Sequence, residues 1–172
     1  DLFRQARRCT VPLIARVNGA CMAGGMGLPA MCDLAVASHS ATFGLPEVKV
    51  GVFPAQVLAV LQHQLPRRVL NELCLTGEPM NANRALAAGL VNEVTEPEAL
   101  DGAVDALLAR LVDKSPSAIR RGLYTLKHVE SLSFEQAMAF TESQIGLFAL
   151  TEDAQEGQAA FREKRAPNWT GR

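Results

Sequence analysis

The stretch from Pro12 to Ala37, PLIARVNGACMAGGMGLPAMCDLAVA, decides how the rest of the chain is read. Leu13-Ile14-Ala15-Arg16-Val17 is a short apolar run that predicts a buried strand, and Asn18-Gly19 after it is a turn signal. The cluster Ala23-Gly24-Gly25-Met26-Gly27 follows, then a helix over Leu28 to Cys32 and a second strand over Asp33 to Ala37. Ala41 to Gly44 predicts a short third strand. Strands joined through a helix predict parallel pairing with helices packed on the sheet, so the chain reads as α/β.

Outward from this unit the pattern turns helical. Residues 1–9 read as the end of a helix with Leu2, Phe3 and Ala6 on one side, stopped by Thr10-Val11-Pro12. From Pro54 onward almost everything has helical spacing. Leu100, Val104, Leu107, Leu108 and Leu111 repeat at three to four residues, and so do Ile119, Leu123 and Leu126, then Phe134, Met138, Thr141, Ile145 and Phe148. The starts are marked: Ser115 before Pro116 is an N-cap with proline at the first helical position, Ser133 to Gln136 fits a capping box, and Thr151 precedes two acids. The expected organisation is a βα core over residues 1–95 and a helical region over 96–172.

Composition narrows the function. Lys plus Arg is 17 against 18 for Asp plus Glu, without the basic stripe of a nucleic-acid or membrane-surface protein. No apolar run reaches the ~18 residues of a membrane span. Cys9, Cys21, Cys32 and Cys74 form no C-x-x-C pair, and His39, His63 and His128 stand apart, so no metal site is expected. The chain opens Asp1-Leu2-Phe3 without a signal peptide or initiator Met, and a preceding segment is expected.

The glycine cluster is where chemistry is sought. Glycines between a strand and a helix let a ligand approach the backbone, and the first turn of a helix carries unpaired N–H groups. Gly25-x-Gly27-x-x-Ala30 fits a dinucleotide fingerprint, with Glu47 twenty positions after Gly27. Against it, five or more residues separate the strand from Gly25, Glu47 lies well past the second strand, and further βαβ units are missing. The other reading is an oxyanion hole, in which an N–H near Gly24 donates to a carbonyl oxygen as it gains charge and Glu47 moves the proton. A purely architectural reading stands beside it: the glycines form a packing corner and Glu47 caps a short helix.

The ordered set of motifs resembles the crotonase (enoyl-CoA hydratase/isomerase) family. It runs from Pro12 to Gly19 through Ala23-Gly24-Gly25, Cys32 to Ala35, Phe43 to Gly51, Leu75 to Glu78 and Ala85 to Val91. It ends on Glu156-Gly157 and Phe161 to Arg165. The resemblance implies a spiral ββα core, a helical trimerisation region, and a homotrimer or hexamer. It implies an acyl-CoA substrate, no cofactor beyond the coenzyme A of that thioester, no nucleic-acid or membrane partner, and a cytoplasmic location (mitochondrial matrix for a eukaryotic source). Carried over by position, Gly24 supplies one oxyanion N–H and Glu47 a catalytic carboxylate. Ala23, Gly25, Gly27, Pro54 and Ala55 line the substrate, and Phe161 and Lys164 reach a neighbouring subunit's coenzyme A. Hydratases of this kind carry a second Glu where this chain has Gly27, and here glycine is expected to leave a space. The loop after Gly51, Phe53-Pro54-Ala55-Gln56-Val57, replaces a glycine-rich run, and Pro29 is expected to disturb its helix. The activities implied are enoyl-CoA hydration, double-bond isomerisation with Glu47 as sole acid and base, or acyl-CoA binding without chemistry.

Overall fold

The structure, a computed structural model, describes residues 1–172 and divides into two units: residues 1–6 with 13–107, and residues 7–12 with 108–172. Helix α1 (Leu2–Arg8) opens the chain, as its one-sided apolar residues predict. Strand β1 (Ile14–Val17) turns at Asn18-Gly19 into β2 (Ala20–Met22). A 3₁₀ turn over Ala23–Met26 runs into helix α2 (Gly27–Met31), then come β3 (Leu34–Ser38) and β4 (Thr42–Gly44). β1 pairs in parallel with β3, and β2 in parallel with β4. Successive strands therefore alternate between two sheets with a helix at each return, which is the ββα spiral.

The helical reading from Pro54 onward needs correction. A 3₁₀ turn over Pro46–Val50 leads to α3 (Leu58–Leu61) and α4 (Arg67–Thr76). Then β5 (Met80–Asn81) joins β4 antiparallel, α5 (Ala82–Ala87) follows, and β6 (Glu93–Thr95) joins β3 in parallel before α6 (Leu100–Val112). β2, β5 and β6 have two or three residues each, too few for any period to show. Their partners hold them: Asn92 Oδ1 accepts from Ala35 N–H at 2.8 Å, and Asn92 N–H donates back to Ala35 O at 2.8 Å.

Strand β3 serves two cores through its alternation. Ala35 and Ala37 face a cluster that includes Phe43, Leu45, Met26, Leu61 and Leu73. Val36 faces the other way, onto Leu100 and Leu107 of α6. The start of α6 is thus part of the first unit, and the division falls after Leu107. Full burial of Phe43 contributes about 2–3 kcal/mol, so its loss is felt across both strands it touches.

The second unit holds α7 (Pro116–Val129), α8 (Phe134–Ala149) and α9 (Glu152–Glu163). The caps are as the sequence predicts: Ser115 accepts from Ala118 N–H, Ser133 and Gln136 close a capping box, and Thr151 accepts from Ala154 N–H. Between residues 108 and 172 only Ser117, Thr151, Asp153 and Ala160 are buried. Asp153 accepts from Ser115 Oγ at 2.7 Å, Ser117 N–H at 3.3 Å, Thr170 N–H at 2.8 Å and Gly171 N–H at 3.0 Å. Burial alone would raise this carboxyl, but the donors from Ser115, Gly171, Thr170 and Ser117 outweigh it and hold it far below the ordinary range. No helix in the chain is long and apolar enough to cross a membrane.

Candidate active site

Strands β2 and β4 lie side by side and run the same way, so their carboxyl ends open at one edge. Each passes straight into a 3₁₀ turn, Ala23–Met26 after β2 and Pro46–Val50 after β4. Met22 stands opposite Gly44, so Gly24 and Glu47 leave the sheet two and three residues beyond one paired position. In parallel sheets this carboxyl edge is where ligands bind. β2 also separates β1 from the glycines, which explains the spacing that excludes a dinucleotide fingerprint.

The first N–H groups of a helical turn have no acceptor within it. Ala23, at the head of the turn, has φ 53° and so sits in the left-handed region that non-glycine residues avoid, at a cost of about 1–2 kcal/mol. Gly24 is exposed, and a Cβ built on Gly24 or Gly25 meets nothing within 4 Å, so the space beside both is open.

Gly27 differs, and here the sequence expectation is overturned. A Cβ at Gly27 would lie 2.4 and 2.7 Å from two ring atoms of Phe3 and 3.2 Å from Val57 Cγ2. The volume that glycine was expected to leave empty is filled by an aromatic ring from α1. The sequence placed Phe3 on the apolar side of its helix, but nothing local to α1 says which surface that side meets. Pro29 falls within the first turn of α2, just after the chain changes from 3₁₀ to α at Gly27, and α2 forms around it. Pro54 is buried and Ala55 is exposed, with Ala55 N–H donating to Phe53 O at 2.7 Å.

Glu47 is held by its turn from both sides. Leu45 before it is fully buried, Pro46 opens the turn, and Gly51 closes it with φ 78°. The end of α4 packs on the same turn: Lys49 pairs with Glu78 at 2.7 Å, and a Cβ on Gly77 would press on Lys49 and Val48. Glu47 itself is half-buried, yet its Oε2 is buried and has no hydrogen-bond partner. Its neighbour is Cys74 of α4, whose thiol is pushed up first by burial and then by the Glu47 charge. Sequence reasoning missed Cys74 here, because only the helix-to-turn packing brings it in.

Phe161 and Lys164 belong to the second unit. Phe161 is 86% exposed, and Lys164 ends α9 in the left-handed region with φ 54°. Next to them Arg165 pairs with Glu156 and Glu163, each at 2.6 Å. The Arg165 guanidinium, with the Asn168 N–H, pulls Glu156 down to about 2.

The sequence matches the enoyl-CoA hydratase/isomerase family over residues 1–172. The chain belongs to this family. Enoyl-CoA hydratase domain-containing protein 3 of Xenopus laevis, a mitochondrial protein, is 36% identical over 93% of this chain and 54% of its own length. The 2,3-dehydroadipyl-CoA hydratase of Escherichia coli is 33% identical over 100% of this chain and 68% of its own length. The crystal structure of an enoyl-CoA hydratase from Mycobacterium smegmatis superposes with a TM-score of 0.95 at 34% identity, over 98% of this chain and 65% of that one. The chain thus spans between about half and two thirds of these relatives, and it shares their crotonase-like fold over nearly its whole length.

Proposed function

We propose that this chain forms the enolate-stabilising part of an enzyme acting on an acyl-CoA thioester, of the enoyl-CoA hydratase type. The observation that carries the reading is the Glu47 carboxylate: its Oε2 is buried and unpartnered at the sheet edge that also bears Gly24. A buried oxygen without a partner costs stability and calls for an explanation, and proton transfer to a bound substrate is one. The Gly24 N–H, on a glycine with open space beside it, would donate to the thioester oxygen as charge develops there. One such donor stabilises the transition state by roughly 3–4 kcal/mol. Glu47 would hold and return the proton at carbon. This chemistry calls on no cofactor besides the coenzyme A of the substrate. The relatives named as hydratases support water addition as the reaction.

One observation favours a second reading, double-bond isomerisation. Position 27 offers no carboxylate, and Phe3 occupies its space. Isomerisation needs a single base that removes a proton at one carbon and returns it at another, which Glu47 alone can do.

The exposed apolar side chains of the second unit, among them Leu126, Phe134, Ile145 and Leu150, support assembly as a trimer or hexamer. In such an assembly Phe161 and Lys164 would meet a neighbour's coenzyme A. The compartment that fits is the cytoplasm, or the mitochondrial matrix in a eukaryote.

The test is ultraviolet absorbance of the whole protein with a 2-enoyl-CoA and, separately, a 3-enoyl-CoA. Loss of the conjugated thioester band from the first means hydration; a gain from the second means isomerisation. Tight binding of both without any change in absorbance would reduce the chain to an acyl-CoA-binding subunit.

A further inference from the structure

We infer that Phe3 is a specificity-determining residue: its ring, seated on Gly27, closes the place from which a second carboxylate could act and leaves Glu47 to carry every proton transfer. Gly27 caps the 3₁₀ turn that bears Gly24, and its N–H donates back to Gly24 O and Gly25 O. The ring on Gly27 therefore packs at the end of the turn that bears Gly24. What stands there is apolar: the Phe3 ring and the methyl of the buried Val57. Glycine and phenylalanine are in close contact: a methyl group at position 27 would come within 2.4 Å of the far end of the half-buried ring, which would have to shift. Water near this face finds aromatic carbon where a carboxylate could otherwise orient it. This inference rests on the acyl-CoA reading only for its consequence in catalysis; the packing of Phe3 on Gly27 stands apart from it.

The experiment has two arms in the whole protein. In the first, Gly27→Ala is compared with Phe3→Ala/Gly27→Ala by thermal melting. The single variant should melt lower than wild type by roughly 3–6 °C, and much less than that relative to Phe3→Ala in the double variant. Equal losses in both backgrounds would overturn the pairing whatever the activity proves to be. In the second, Phe3→Ala/Gly27→Glu is assayed for hydration of a 2-enoyl-CoA across pH. The second carboxylate should raise hydration at least tenfold over wild type and change a profile governed by one ionisation into a bell-shaped one governed by two. A folded double variant with wild-type rate and profile would overturn the role given to Phe3. If wild type neither binds nor turns over any enoyl-CoA while the melting arm holds, the acyl-CoA reading fails and the Phe3–Gly27 pair survives.

Discussion

The two units bury opposite things. In the first, the buried set is apolar apart from Ser38, running from Met26, Phe43 and Leu45 to Leu61 and Leu73, and one carboxylate oxygen of Glu47 is buried with no partner. In the second, the buried set is mainly polar, Ser117, Thr151 and Asp153 with Ala160, and its one buried carboxylate is surrounded by donors. Phe134, Ile145 and Leu150 meanwhile face outward. The first unit is stabilised by apolar burial and can leave one carboxylate uncompensated. The second is pinned by one saturated carboxylate and has its apolar surface left to cover. One arrangement suits chemistry and the other suits assembly, and each can be broken separately.

The largest effect is expected at Glu47. Glu47→Gln keeps the shape and removes the base, so turnover should fall by 10²–10⁴-fold or more while acyl-CoA binding persists. Steady-state rates and a binding titration on the same preparation check this. A variant that turns over like wild type would remove Glu47 from the mechanism and leave its buried oxygen unexplained.

Asp153 is the counterpart in the second unit. Asp153→Ala strands the Ser115 hydroxyl and the N–H groups of Ser117, Thr170 and Gly171, and should cost about 3 kcal/mol, or roughly 6–12 °C in melting temperature. The pH dependence carries the same information. The carboxyl of Asp153 is held well below its ordinary value of 3.8, and Glu156 is drawn from 4.5 to about 2. On acidification the unfolded chain takes up protons before the folded one does, so stability is full above about pH 4.5 and falls as pH drops from there. Melting followed between pH 6 and pH 3 should show the loss in wild type and a shallower slope in Asp153→Ala.

How much of this contrast is visible in the sequence depends on how local each signal is. The caps at Ser115, Ser133 and Thr151 were legible because the capping residue and the N–H it accepts from are three residues apart. β1 and β3 were legible as apolar runs, whereas β5 and β6 exist only because β4 and β3 lie beside them. Among the site residues, the glycine turn and Glu47 could be read along the chain. The Phe3 ring on Gly27 and the thiol of Cys74 beside Glu47 could not, since each arrives from another element with no local mark of its target. Asp153 was readable as an acid at a helix start, but not as the anchor of residues 170–172, which is a contact across the unit.

The outward apolar residues of α8 supply a smaller test. Ile145 is 69% exposed, so Ile145→Asp should change the stability of a lone subunit by no more than about 0.5 kcal/mol. If α8 is a subunit interface, the same change should shift the protein to smaller species in sedimentation. An unchanged assembly would show that this face lies outside the interface and that the second unit's exposed surface needs another explanation.

The smallest expected effect concerns backbone strain. The chain has two non-glycine residues with positive φ, Ala23 in the first unit and Lys164 in the second, and both stand at proposed substrate contacts. Lys164 closes α9 in the left-handed conformation that helix ends commonly use, where glycine is the favoured residue. Ala23 opens a turn rather than closing one, so no capping convention accounts for its conformation. Glycine at either position relieves the strain and should stabilise the fold by up to about 1 kcal/mol, less whatever freedom the unfolded chain gains. The two should part in function. At Ala23 the peptide linking it to Gly24 carries the proposed oxyanion N–H, and strain there fixes where that N–H points. Ala23→Gly should therefore melt slightly higher and turn over more slowly, while Lys164→Gly should melt higher with kcat unchanged and alter only coenzyme A affinity through the lost ammonium. If Ala23→Gly gains stability with undiminished kcat, the left-handed Ala23 is a requirement of the fold and the oxyanion geometry does not depend on it.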